Sequence, residues 1–130
     1  MDGITFDAND LAARIEQLSQ DDLDRLPFGV ILLDRNDTVL FYSATEGRLS
    51  GYAPRSPLGQ NFFEVSHCMG GDDFRGRITR AMENGKVDLE IGWRGDFNDP
   101  NRELRIRVQS ARNGGVWIVI DRDQPKSSNK

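Results

Sequence analysis

The sequence predicts an α+β fold, a five-stranded antiparallel sheet with helices packed on one side, and three observations carry the prediction. Two β-rich runs, Gly29-Val30-Ile31-Leu32-Leu33 and Thr38-Val39-Leu40-Phe41-Tyr42, flank the turn-forming Asp34-Arg35-Asn36-Asp37 and read as a hairpin. Three further strand patterns close the chain, in which Val87, Leu89, Ile91 and Trp93 alternate, as do Leu104, Ile106 and Val108, before the near-continuous apolar run Val116 to Ile120. Between the two groups lies a stretch rich in glycine and proline, followed by one amphipathic helix.

Taken in order, the chain begins with a polar segment whose Leu11, Ile15 and Leu18 form one narrow helical stripe, with Asn9 or Asp10 as a candidate N-cap. A second short helical turn is expected from Asp21 to Leu26, stopped by Pro27. So little apolar surface cannot hold these pieces alone, and residues 1–26 are expected to dock on a larger body as a detachable helical cap. Residues 27–124 form that body. Glycine or proline at 47, 51, 54, 57 and 59 permits only short helices and tight turns, which line a pocket more readily than they fill a core. Asp72 is a candidate cap for a helix running to about Glu83, with Phe74, Ile78, Ala81 and Met82 on one face and Asn84-Gly85 as its stop. Asn113-Gly114-Gly115 turns the chain into the last strand, and 125–130 is a polar tail expected to be disordered. Arg105 and Arg107 alternate with apolar neighbours, which predicts a strand with one wet face.

Composition narrows the function. At 130 residues there is room for one core, and 21 acidic against 17 basic side chains leave a net charge of −4, which argues against nucleic acid as a partner. No apolar run is long enough to span a membrane, and no secretory signal is visible, so a cytoplasmic protein is expected. The single cysteine excludes an internal disulfide, and one cysteine with one histidine makes neither a metal cluster nor a convincing catalytic dyad, so neither a metal site nor an enzyme is expected.

That cysteine, Cys68, ends Asn61-Phe62-Phe63-Glu64-Val65-Ser66-His67-Cys68, downstream of Phe41-Tyr42-Ser43-Ala44-Thr45-Glu46-Gly47. With Leu26-Pro27-Phe28-Gly29-Val30-Ile31, these segments resemble the photoactive yellow protein family over essentially the whole chain. The resemblance implies a PAS fold and a blue-light photoreceptor. It further implies p-coumaric (4-hydroxycinnamic) acid as a covalent thioester on Cys68, with Tyr42 and Glu46, four residues apart, hydrogen-bonded to its phenolate. Ser50 is the implied hydroxyl supporting the tyrosine, and Ile31, Tyr52, Phe62, Val65, Ser66, His67 and Phe97 are the implied pocket residues. The chain departs from the family pattern at His67, where proline is common, at Tyr52, where an arginine often covers the phenol, and at Arg94 to Asp99, which replaces an aromatic and methionine run. The missing methionine predicts slow return to the dark state.

A buried phenolate needs donors that are not themselves anionic, and Glu46 qualifies only if burial keeps it protonated. Light is then expected to move the Glu46 proton to the phenolate, strand a buried carboxylate and release the cap as the signal. A separate, unidentified signalling protein would receive it from a monomer or weak dimer. Plainer readings stand beside these: Glu46 as a solvated helix residue, Ser50 as a turn serine, Cys68 as a small buried hydrophobe, and Trp93 and Trp117 as sheet residues packing on the core. They amount to a chromophore-free PAS module that senses a ligand or an oxidant through its thiol, or binds another protein.

Overall fold

The computed structural model describes residues 6, 8–46, 58–62, 72–83, 85–96, 99–112 and 114–122. Two short helices, α1 (Leu11–Ile15) and α2 (Gln20–Asp24), precede the strands β1 (Gly29–Leu33) and β2 (Val39–Tyr42). The longer helix α3 (Asp72–Glu83) is followed by β3 (Asp88–Asp96), β4 (Asp99–Ser110) and β5 (Val116–Arg122). The five strands form one antiparallel sheet in the order β2-β1-β5-β4-β3, so the last strand lies at the centre, between β1 and β4.

Local chemistry accounts for the boundaries. Ser19 caps α2, its hydroxyl accepting from the Asp22 N–H at 3.1 Å, so the helix starts one residue before the predicted Asp21. Asp10 precedes α1 but makes no side-chain cap; its carboxylate takes the Arg14 Nε–H at 2.8 Å instead. In the hairpin, Asp34 Oδ1 accepts from the Asn36 and Thr38 N–H groups at 2.8 and 3.0 Å, and Asp37 completes the turn at φ 68°. Helix α3 ends as predicted: Gly85 adopts φ 93° and donates to the Met82 carbonyl at 3.0 Å.

The sheet is buried on both faces. Ile31, Leu33, Val39, Ile91, Leu104, Ile106, Val108, Val116, Ile118 and Ile120 pack with Phe62 and with Ile78, Ala81 and Met82 of α3. On the opposite face Val30, Leu32, Phe41, Trp117 and Val119 pack with Phe6, Leu11, Ala12, Ile15, Leu23, Leu26 and Phe28. The helices therefore do not lie on one side as the element order alone suggested, because the N-terminal segment takes the second face. This explains the unbroken apolar run of β5, whose even positions serve one core and odd positions the other. It also corrects the reading of Arg107. The residue is only 8% exposed, and its Nη1 donates to the Phe6 and Ala8 carbonyls at 2.7 and 2.6 Å. Arg105 does stay exposed, paired to Glu90 at 2.9 Å, with its guanidinium 4.9 Å from the centre of the Phe6 ring. Among the described residues no helix is long and apolar enough to cross a membrane.

Candidate functional site

The site is built where β1, β2 and the helical turn at 44–46 meet. Ile31 pairs with Tyr42 across the hairpin, so the two side chains leave the sheet on the same face, and Tyr42 packs half-buried against the cluster that holds Ile31 and Phe62. Phe62 reaches that cluster because its segment runs along the outer edge of β2: Thr38 bridges to Asn61, Val39 N–H donates to Gln60 O at 2.9 Å, and Phe62 N–H donates to Asp37 O at 2.9 Å.

Glu46 is 3% exposed. Its position is set by Ser43, a buried residue whose hydroxyl accepts from both the Glu46 N–H and the Val30 N–H, each at 3.1 Å. Ser43 thereby caps the turn that carries Glu46 and fastens it to β1, while its own N–H donates to Val30 O at 3.0 Å. The Glu46 side chain then lies over Gly29: a Cβ built there would come within 2.9 Å of Cδ and closer still to Oε1. Only glycine leaves that space, so Gly29 is the floor on which the carboxyl group rests.

The turn is also tied to the cap. Ala44 N–H donates to Asp24 Oδ1 at 2.7 Å, and the Thr45 hydroxyl lies 2.9 Å from Asp24 O and 2.7 Å from Leu26 O. On the far face Gln109 takes the Ala12 N–H at 2.8 Å and donates to Asn9 O at 3.2 Å. Glu16 Oε2 accepts from Trp117 Nε1 at 2.9 Å and from the Arg112 N–H at 2.7 Å. Trp117 is thus a core residue of the sheet and a hydrogen-bond partner of the cap.

Of the residues singled out from sequence, the structure brings Ile31 and Phe62 into one buried cluster, packs Tyr42 half-buried against it and puts Glu46 beside β1. Cys68, Ser50, Tyr52, Val65, Ser66, His67 and Phe97 lie outside the described residues. Sequence reasoning missed Gly29, Ser43 and Thr45. A signal for Ser43 was present: Ser43-Ala44-Thr45-Glu46 has the S-x-x-E spacing of a helix start. Among the described residues no group of three His, Cys, Asp or Glu could hold a metal ion.

This sheet order, with a family model described as PAS fold matching residues 9–123, defines a PAS-fold domain. Within that class, photoactive yellow protein of Halochromatium salexigens is 30% identical over 124 residues, spanning 94% of this chain and 99% of that one. The protein of the same name from Rhodothalassium salexigens is 29% identical with the same coverage. The crystal structure of the photoactive yellow protein domain from the sensor histidine kinase Ppr of Rhodospirillum centenum matches with a TM-score of 0.71 and 30% identity, covering 83% of this chain and 96% of that one. The chain belongs to the photoactive yellow protein family.

Proposed function

We propose that this chain is a blue-light receptor that carries p-coumaric acid as a thioester on Cys68, with Tyr42 and Glu46 as the hydrogen-bond donors to the phenolate. The observation that carries the reading is the burial of Glu46 against Gly29, on the same side of the β1–β2 hairpin as Tyr42 and Ile31. A carboxyl group and a phenol on one side of the hairpin, beside an apolar wall, suit a ligand with one polar, acidic end and a flat apolar body.

Bound there, the chromophore supplies a light-driven change of shape. Tyr42 orients the acidic end in the dark, and Glu46, removed from water, holds a proton it can donate. Once Glu46 gives that proton up, its carboxylate is left in an apolar setting at a cost of several kcal/mol, on the order seen for unpaired buried charges. Water entry and loss of the cap relieve that cost and supply the signal. A signalling protein reads the exposed surface, in keeping with a relative that is a domain of a sensor histidine kinase.

The test is the visible spectrum of the purified chain after treatment with activated p-coumaric acid, before and after blue light, with Cys68→Ala as control. A blue-absorbing band that requires Cys68, bleaches in light and returns in the dark is expected. Loading that gives only near-ultraviolet absorption would remove Tyr42 and Glu46 from the phenolate site. Failure of the folded chain to load would leave a chromophore-free PAS module.

A further inference from the structure

We propose that Thr45 is the positioning residue that couples the Glu46 carboxyl to the N-terminal cap, a role that rests on reading Glu46 as the group that loses a proton. Thr45 is buried, at 3% exposure, and its hydroxyl is in reach of two backbone carbonyls, Asp24 O at 2.9 Å and Leu26 O at 2.7 Å. A hydroxyl has one proton, so the two carbonyls compete for it. The Asp24 carbonyl belongs to the last residue of α2, where carbonyls lack helical partners, and Thr45 supplies what the helix cannot.

Among the described residues the turn around Thr45 has a stiff attachment and a soft one. On the stiff side Ser43 binds both main-chain groups of Val30, a fully buried residue in a strand paired on both edges. On the soft side Ala44 and Thr45 bind α2, a helix of 5 residues. A helix that short does not persist without tertiary contacts. Any shift of the Glu46 carboxyl off Gly29 rotates the adjacent Thr45, and the sheet does not yield. The displacement goes to residues 24–26, the join between the cap and β1. Thr45 therefore converts a change of charge at Glu46 into loss of a C-terminal cap on α2.

Backbone amide exchange at Leu23, Arg25 and Leu26, which donate to Ser19, Asp22 and Leu23 carbonyls, tests the coupling in the full chain. Thr45→Val keeps the shape, removes the donor and is expected to raise exchange at these amides about tenfold, while Thr45→Ser stays within about twofold of the parent. Those effects alone would follow from a purely structural hydroxyl, so the deciding measurement is a double-mutant cycle. Glu46→Ala, which withdraws the carboxyl from Gly29, is expected to alter α2 exchange in the parent and to leave it unchanged in the Thr45→Val background. Additive effects of the two changes would overturn the coupling. In chromophore-loaded protein, Thr45→Val should bleach as the parent does yet lose the light-induced rise in α2 exchange; a full rise would overturn it too. The cycle needs no chromophore, so it separates failure of this coupling from failure of the light-receptor reading, which shows as absence of a Cys68-dependent band.

Discussion

The carboxyl group of Glu46 occupies the space that a side chain on Gly29 would need. One residue is buried and acidic, the other is the first residue of β1, and no side chain fits at the second while the first keeps its place. Gly29→Ala is expected to destabilise the chain by about 1–3 kcal/mol, in the range for overpacking a tight site. Combining it with Glu46→Ala should recover much of that loss. Urea denaturation of the two single variants and the double variant measures it, and strictly additive losses would mean that the two side chains do not compete for one space.

Ser43→Ala removes the shared acceptor of the Val30 and Glu46 N–H groups. Because Val30 is inaccessible to water, its N–H has no replacement partner, and a loss of about 2 kcal/mol is expected. In chromophore-loaded protein the same change should shift the absorption band, since it frees the turn that carries Glu46. An unshifted band together with the stability loss would limit Ser43 to a structural role.

Arg107→Met keeps the aliphatic stem under the cap and removes the donors to Phe6 O and Ala8 O. The expected result is a cap that opens more often, by about 2 kcal/mol for charge-assisted bonds, with the sheet barely affected. Protease cleavage within residues 8–18 should accelerate while exchange at β5 amides stays slow. Equal loss of protection in both would show that cap and sheet unfold as one unit.

Burial pushes the Asp37 carboxyl above its ordinary value, opposed by Arg75, whose Nη2 is 3.8 Å away, and assisted by nearby Asp34. A carboxyl raised in the folded state contributes stability that is complete below its unfolded value, about 3.9, and is lost as pH rises through its folded value. Asp37→Asn, which tolerates the positive φ at this turn, is therefore expected to be at least as stable as the parent at pH 7. The advantage should vanish on acidification below about pH 4. Urea midpoints across that range decide the matter; a variant weaker at neutral pH than in acid would mean that the Arg75 contact outweighs burial.

The parts of this fold that declare themselves in the sequence are those governed by short-range patterning. Alternation of Leu89 and Ile91 in β3 and of Leu104, Ile106 and Val108 in β4, the apolar run of β5, and the stripe Ile78, Ala81, Met82 on α3 follow directly from which atoms must leave water. Strand β4 begins at Asp99, five residues before its first alternating apolar residue, because main-chain pairing with β3 extends it where no apolar pattern is required. Arg107 was misleading for a related reason. Arginine alternating with isoleucine and valine describes a half-wet strand, yet this guanidinium is covered by a segment about 100 residues earlier that meets it with carbonyl oxygens common to every amino acid. Within the site, Tyr42 and Glu46 are picked out by the resemblance to the family, since side-chain chemistry alone reads them as a strand-end aromatic and a helix residue. Gly29 acts by lacking a side chain, and Thr45 acts on the main chain of residues 24 and 26, so neither shows a local pattern.

The fastening of the N-terminal segment has a practical corollary. Arg107 and Gln109 grip it through the carbonyls of residues 6, 8 and 9 and the N–H of residue 12, all main-chain atoms. The outward positions Ala13, Arg14 and Gln17 are exposed and take no part in that grip. A recognition epitope written onto those three positions can be masked or presented with the segment while the clasp stays intact, which makes this edge of the molecule a natural place to graft a new output.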